Sequence, residues 1–133
     1  MLSWFEPRRA RQLADYDRDQ PWIGKLLREL DALYLFGTMG MEAVLKADGT
    51  VLVSRDDSWG QPAAPPSPWR AATIQERTAS LVIARTRIPE VAELLPSRPP
   101  DAADCPRCNG TGRIIQEVVC MDCGALGWVP SAA

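Results

Sequence analysis

The spacing of apolar residues near the N-terminus predicts two helices. Residues 7–19 form a charged, helix-compatible stretch, and Pro7 suits a first helical turn. Across residues 21–34, apolar side chains recur at the i, i+3, i+4, i+7 spacing of an amphipathic helix, at Ile23, Leu26, Leu27, Leu30, Leu33 and Tyr34. This second segment is expected to be a core helix that ends at Gly37 and Gly40.

The residues that follow predict a β-hairpin. Met41–Lys46 and residues 50–53 are rich in β-prone side chains. Asp48 and Gly49 lie between them, and this pair is a strong turn signal because both residues tolerate positive φ. An isolated hairpin is marginally stable in water, so this one is expected to pack on the helices.

A proline-rich segment predicts a loop after the hairpin. Four prolines fall within residues 60–68, which removes backbone donors and favours an extended polyproline II geometry. A stiff connector is the favoured interpretation, and a P-x-x-P ligand at Pro62 and Pro65 is the alternative. Trp59 and Trp69 flank the segment. We expect the chain's five tryptophans to be mostly core residues, with an exposed contact surface at Trp59, Trp69 and the prolines as the alternative.

Residues 73–87 predict a third helix. Thr73 and Glu76 have the spacing of a capping box, although the β-branched pair Val82 and Ile83 leaves a strand as the alternative. Residues 89–95 predict a short helix that begins at a proline. The cluster Pro96, Pro99 and Pro100 then marks the predicted boundary between a first domain, residues 1–100, and a C-terminal module, residues 101–133.

Composition and charge narrow the classes of function. Hydrophobic residues make up 46% of the 133-residue chain and charged residues 24%, which is typical of a globular protein. There is no signal-peptide pattern and no stretch of roughly 18 apolar residues, so a cytoplasmic protein without a membrane span is expected. Residues 1–100 carry 13 cations and 13 anions, so the anionic excess falls after residue 100. This distribution disfavours nucleic acid as a partner.

The four cysteines are the most specific signal in the chain. Cys105 and Cys108 form one C-x-x-C motif, and Cys120 and Cys123 form a second after eleven intervening residues. In a reducing compartment, such motifs favour metal binding over disulfides. Two residues between cysteines let one tight turn aim both sulfurs at a common point, and the β-branched residues 113–119 can form a hairpin that returns the second turn.

This arrangement predicts one tetrahedral Zn²⁺ with four sulfur ligands, Cys105, Cys108, Cys120 and Cys123. Another metal or cluster and a redox dithiol are the alternatives. Four sulfur ligands leave no coordination position for a catalytic water, so the ion is expected to be structural. The predicted fold class is α+β: a small helical domain with a β-hairpin, followed by a C-terminal one-zinc ribbon.

Around these cysteines the chain resembles the cysteine-rich zinc module of DnaJ-type (Hsp40) chaperones, whose repeat is C-x-x-C-x-G-x-G. Residues 105–112 match the repeat at every fixed position, and residues 120–127 match except at Ala125, which replaces the first glycine. The DnaJ-type module has four repeats and two zinc ions, so two repeats resemble a single-zinc form. The resemblance implies a zinc fold used for protein or peptide contact, and it implies nothing about residues 1–100.

No other group of residues predicts a reaction. The chain has no histidine, which excludes Ser-His-Asp and Cys-His arrangements and the commonest general base near neutral pH. A calcium loop beginning at Asp15 fails because Gln20 and Leu26 stand at the positions of its glycine and its bidentate glutamate. Phosphate-binding glycine loops are absent from the sequence.

The expected function is therefore a non-enzymatic zinc-binding protein that contacts another protein or peptide. A nucleic-acid-associated zinc protein, using arginines of residues 1–100 such as Arg8, Arg9 and Arg11, is the first alternative. An enzyme with an unrecognised active site is the second.

Overall fold

The chain forms two compact units, Met1–Ala71 and Ala72–Ala133, in a computed structural model that describes residues 2–38, 41–55, 69–115, 118–120 and 122–129. The unit boundary precedes the third helix, whereas the sequence placed a domain boundary at the proline cluster of residues 96–100. The difference has a physical reason: the third helix packs against the second C-x-x-C turn, where a Cβ on Gly124 would lie 2.9 Å from Thr78 Cβ.

The first unit contains two helices and four strands: α1 (Phe5–Asp19), α2 (Pro21–Leu30), β1 (Ala32–Thr38), β2 (Met41–Lys46), β3 (Val51–Arg55) and β4 (Arg70–Ala71). The strands form one antiparallel sheet in the order β1-β2-β3-β4. The predicted hairpin is confirmed as β2 and β3. Its turn closes through Asp48 Oδ1, which accepts a hydrogen bond from Thr50 N at 2.9 Å, and Gly49 has φ of +91°.

Helices α1 and α2 pack closely as a helical pair. A Cβ at Gly24 would collide with the Asp17 carboxylate, so a larger residue there would displace this side chain from its position against Arg28. The same carboxylate accepts two hydrogen bonds from Arg28, at 2.9 and 2.6 Å, and these bonds lower the pKa of Asp17. The helix predicted over residues 7–19 is confirmed, with its start at Phe5.

The helix predicted over residues 21–34 is wrong beyond Leu30. Asp31 adopts a left-handed conformation, with φ of +50°, which ends α2, and the next residues form strand β1. Leu33 and Tyr34 fit the helical stripe, but they are buried as consecutive strand residues with side chains on opposite faces. Gly37 lies inside β1 and ends no helix, and Gly40 lies outside the described residues.

The core between the helices and one face of the sheet is a small apolar cluster. Its buried members are Ile23, Leu27, Ala32, Tyr34 and Val44, and Trp69 packs against it while partly exposed. None of the four described tryptophans is fully buried, and Trp22 is 58% exposed. The interpretation of the tryptophans as core residues therefore holds only in part.

Side chains from α1 bind the backbone of edge strand β1. Gln12 acts as a substitute strand residue, since its Oε1 accepts from Tyr34 N at 2.8 Å and its Nε2 donates to Tyr34 O at 2.7 Å. Arg9 donates to Ala32 O at 3.1 Å and to Leu27 O at 3.2 Å, so it also satisfies a carbonyl at the C-terminus of α2. These contacts cover backbone groups that an edge strand would otherwise expose.

We expect Gln12→Met to destabilise the first unit by about 2 kcal/mol, because it leaves two partly buried backbone groups of Tyr34 without their partner while nearly preserving side-chain volume. Urea denaturation followed by circular dichroism measures the change. Gln20→Met is the matched control: it is exposed, its side chain has no hydrogen bond in the described structure, and it should change stability little. Equal effects of the two substitutions would contradict the role of Gln12.

The second unit contains one α-helix, a 3₁₀ helix and four short strands: α3 (Ile74–Ala84), the 3₁₀ helix Pro89–Leu94, β5 (Ala103–Asp104), β6 (Arg113–Ile115), β7 (Val118–Val119) and β8 (Trp128–Val129). The predicted third helix and its capping box are confirmed. Thr73 Oγ1 accepts from Glu76 N at 3.1 Å, and Glu76 Oε1 accepts from Thr73 N at 2.9 Å. The strand alternative for this segment is wrong.

The mixture of helices with small antiparallel sheets agrees with the predicted α+β class. The proline loop, Trp59, Gln116 and Glu117 lie outside the described residues. None of the helices that the structure describes has the length and apolar character needed to cross a bilayer.

Candidate metal centre

The four predicted cysteines meet at one point in the second unit. Their sulfur atoms all lie within 4.8 Å of one another, and all four residues are buried. Cys105 Sγ is 3.8 Å from Cys120 Sγ, and Cys108 Sγ is 3.8 Å from Cys123 Sγ. Disulfide sulfurs would be about 2.05 Å apart, so the thiols are unpaired.

These distances fit a tetrahedral zinc site. Sulfur binds zinc at about 2.3 Å, so the edge of a regular tetrahedron of sulfurs is about 3.8 Å. That value equals the two separations above. The four thiols, all within 4.8 Å of one another, are therefore close enough to bind one zinc ion.

The two cysteine turns are related by a pseudo-twofold repeat of fifteen residues. Cys105 N donates to Gly127 O at 3.0 Å, and its equivalent Cys120 N donates to Gly112 O at 2.9 Å. The strands follow the same relation. Fifteen residues separate the start of β5 from that of β7 and the start of β6 from that of β8, so the pair β5–β8 is equivalent to the pair β7–β6. The sequence predicted the β6–β7 hairpin but missed β5 and β8, which are two residues long and lack a β-branched run.

Each turn directs one backbone N–H at the second sulfur of its own motif. Gly112 N donates to Cys108 Sγ at 3.3 Å, and Gly127 N donates to Cys123 Sγ at 3.3 Å. Such donors stabilise negative charge on sulfur. The donors are the last glycines of the two repeats, Gly112 and Gly127.

The glycines are required by backbone conformation and by close approach. Gly112 and Gly127 have φ of +77° and +87°. A Cβ at Gly112 would lie 2.6 Å from Ala125 O, and a Cβ at Gly127 would lie 2.6 Å from Gly110 O, which is the equivalent atom in the other repeat. Neither position can accept a larger residue without moving the opposite turn.

Ala125, the one departure from the repeat, adopts the conformation that the repeat assigns to glycine. Its φ is +66°, and its equivalent Gly110 has φ of +81°. We expect Ala125→Gly to stabilise the second unit by about 1 kcal/mol, because it relieves a left-handed conformation that an L-residue adopts at a cost. Chemical denaturation of the zinc-loaded protein measures the gain, with Ala79→Gly, inside α3, as a control that should lower stability.

The sulfurs differ in their affinity for protons although their positions are equivalent. Burial raises the pKa of Cys108, but the Gly112 N–H and the thiols of Cys105 and Cys123 outweigh burial and hold this pKa at about 7. Burial raises the pKa of Cys123 to about 12, and the Gly127 N–H offsets only part of that increase. The first of these thiols to lose its proton is thus stabilised by its neighbours. Formation of a second thiolate is then disfavoured by charge repulsion from the first, 3.8 Å away.

An exposed ion pair joins the two repeats. Arg107 Nη1 lies 3.9 Å from Asp122 Oδ2, and these residues are equivalent in the two turns. Both side chains are more than half exposed, so the pair contributes at most about 1 kcal/mol. The pair links the exposed sides of the two turns.

Helix α3 is part of the surroundings of the metal centre, which the sequence did not indicate. Gly124, directly after the second motif, packs so closely on the helix that its Cβ would lie 2.9 Å from Thr78 Cβ. Thr78 satisfies its own hydroxyl within the helix by donating to Ile74 O at 2.9 Å, so it presents carbon to the turn.

Comparison of the chain with protein-family models, with curated proteins and with solved structures found no match. The resemblance to the DnaJ-type module therefore depends on residues 105–112 and 120–127 alone. In the structure these residues form two equivalent turns around a four-cysteine cluster that is compatible with a zinc module.

Proposed function

We propose that Cys105, Cys108, Cys120 and Cys123 bind one structural Zn²⁺, and that the chain works as a non-enzymatic module for contact with another protein. The observation that carries the proposal is the cluster of four buried sulfurs within 4.8 Å. Four thiolates so close repel one another strongly unless a cation neutralises them. Soft thiolates at tetrahedral spacing are the donor set of zinc.

Structural zinc suits this segment because the segment is poor in apolar core. The cluster around the cysteines contains the four thiols themselves, with Val129 as its partly buried apolar neighbour. A segment of this size gains too little from burial to fold by itself. A metal supplies the missing free energy and adds no reactive position, since sulfur fills all four sites.

Contact with a protein is supported by exposed apolar side chains in the second unit. Among the described residues of this unit, Ile74 at the start of α3 is 82% exposed and Ile114 on β6 is 42% exposed. Of the acidic residues near the cysteines, Asp104 pairs with Arg98 at 3.0 Å and Asp122 lies 3.9 Å from Arg107, so neither leaves an unpaired charge. A partner with an apolar patch has the surface that complements the two isoleucines.

Metal analysis of the purified protein tests the first part of the proposal. We expect one zinc ion per chain in the unmodified protein and loss of zinc in Cys120→Ser. Asp122→Asn is the matched control, because it alters a polar side chain on the same turn without removing a sulfur, and it should retain the ion. Absence of stoichiometric zinc from the unmodified protein would refute the site.

Affinity purification from the native host, followed by reconstitution with the purified partner, tests the second part. We expect a partner whose affinity falls at least about fivefold in the double variant Ile74→Ser, Ile114→Ser, since each loses an exposed apolar contact. Both substitutions are on the surface, so zinc content should not change. A host in which no protein is enriched, or a partner indifferent to the double variant, would contradict the interaction role.

A further inference from the structure

A second candidate site lies in the first unit, remote in sequence from the cysteines. A cavity of about 230 Å³ opens between helix α2 and the sheet, and its walls include Trp22, Trp69 and Glu42. Pockets for drug-sized ligands are typically about 300–1,000 Å³. This cavity therefore has the size for one side chain of a partner and not for a whole cofactor.

The cavity lies along one side of helix α2, where Trp22, Lys25, Leu26 and Glu29 line it. Val44 on β2 pairs with Leu52 on β3, and this pair packs in the core under α2. The next pair on the same face is Glu42 with Ser54, and it lines the cavity opposite residues of α2 that include Trp22. The face of the sheet under α2 is thus apolar at Val44 and Leu52 and becomes polar at the next pair, which lines the cavity.

Glu42 is held in place by a dedicated contact. Tyr34 Oη donates a hydrogen bond to Glu42 Oε2 at 3.0 Å, and the Tyr34 ring is anchored in the core. A Cβ at Gly37 would collide with Tyr34 Oη, so the glycine in the middle of β1 is what allows the phenol to reach the carboxylate. The half-buried carboxylate of Glu42 is therefore positioned, in contrast to a mobile surface glutamate.

The charges of the cavity favour a cation. Lys25 Nζ lies 3.9 Å from Glu29 Oε1, and this exposed pair offsets its own charges. Glu42 then supplies the net negative charge of the lining. The two tryptophans supply aromatic faces, which attract cations. Trp22 is 58% exposed and is not needed to fill the core, so it can turn its indole to a ligand.

We propose that this cavity, defined by Trp22, Trp69 and Glu42, binds the side chain of an arginine that a partner protein presents. A guanidinium is planar, stacks on aromatic rings and donates two parallel hydrogen bonds to a carboxylate, whereas an ammonium is compact and strongly hydrated. This inference depends on the proposed role in protein contact, but not on zinc binding by the cysteines.

The probe is the peptide acetyl-Gly-Arg-Gly-amide, added to the zinc-loaded full chain. Indole N–H signals in ¹⁵N–¹H spectra report binding, after Trp22→Phe and Trp69→Phe have assigned them. We expect saturable shifts of the Trp22 and Trp69 signals with a dissociation constant in the millimolar range, as for a single side chain. The same peptide with citrulline, which has the same shape without charge, should bind at least about fivefold more weakly.

Two variants of equal charge change separate the site from general electrostatics. Glu42→Gln should weaken the arginine peptide at least about fivefold, and Glu6→Gln, exposed on α1, should leave its affinity nearly unchanged. Equal affinity for the arginine and citrulline peptides, no saturable shift, or equal effects of the two variants would overturn the proposal. Should Glu42→Gln fail to fold, the citrulline comparison on the unmodified chain still decides.

The outcome also separates this inference from the proposed function. Only the arginine site is refuted if the chain binds zinc and its partner, but binds the arginine and citrulline peptides equally well and is affected equally by Glu42→Gln and Glu6→Gln. A chain without zinc that still binds the arginine peptide refutes the metal centre alone.

Discussion

Removal of zinc is expected to unfold residues 103–129 completely. Structural zinc contributes on the order of 10 kcal/mol to the folding of small Cys-rich modules, which is comparable to the whole stability of a typical domain. Here the loss is compounded, because four sulfurs buried within 4.8 Å of one another would have to keep their protons or separate. No apolar cluster of comparable size replaces them among the described residues of this segment.

Backbone NMR of the zinc-loaded protein before and after a strong chelator measures this effect. Signals of residues 103–129 should lose their dispersion, and re-addition of one equivalent of Zn²⁺ should restore it. The amides of β1 to β3 act as an internal control, since the first unit has an apolar core of its own around Leu27 and Val44. Persistent dispersion of the cysteine turns in metal-free protein would contradict a structural metal.

The same experiment tests whether α3 belongs to the metal module. Thr78 on α3 contacts Gly124 directly, so loss of the second turn exposes one face of the helix. We expect hydrogen exchange of α3 to accelerate when zinc is removed, because the helix loses a packing surface while it keeps its capping box. Unchanged protection of α3 would show that the helix is stable without the metal.

Elements with local signals were predictable from the sequence. The α3 capping box involves two residues three positions apart, and the β2–β3 turn depends on adjacent Asp48 and Gly49, so each signal is complete within a few residues. The cysteine cluster was predictable for a similar reason. Two C-x-x-C motifs define their own turns, and only their approach to each other depends on the rest of the chain.

Elements specified by distant contacts were not predictable. Leu33 and Tyr34 fit both a helical stripe and a strand buried on two faces, and the strand is distinguished by distant contacts, among them the pairing of β1 with β2 and the hydrogen bonds from Gln12 of α1 to the Tyr34 backbone. The packing of α3 on Gly124 likewise depends on an approach between residues about 45 positions apart, which no local pattern records.

The second large effect is expected at Gly112 and Gly127. Replacement of either by alanine should destabilise the zinc-loaded second unit by about 3 kcal/mol, which combines the left-handed φ with a Cβ 2.6 Å from a backbone carbonyl oxygen. A backbone carbonyl group cannot move away from the new Cβ as easily as a flexible side chain can. The clash also shifts the N–H that each glycine donates to Cys108 or Cys123, so zinc affinity should fall about a hundredfold, in step with stability.

Gly110→Ala is the matched control for both substitutions. Gly110 also has positive φ, but the atoms nearest its Cβ belong to the Asp104 side chain, at 3.0–3.3 Å, and a side chain can move. Its equivalent in the other repeat is already alanine, Ala125, at φ of +66°. Gly110→Ala should therefore cost only about 1 kcal/mol.

Competition with a zinc chelator of known affinity ranks the three variants. The pseudo-twofold repeat requires Gly112→Ala and Gly127→Ala to weaken zinc binding equally, because each Cβ meets the equivalent carbonyl of the opposite turn. Gly110→Ala should bind zinc clearly more tightly than either of these variants. If all three variants bind zinc alike, close approach of the turns does not limit the site, and φ alone explains the glycines. If Gly112→Ala and Gly127→Ala differ widely, the two turns are not equivalent in energy, whatever their geometry.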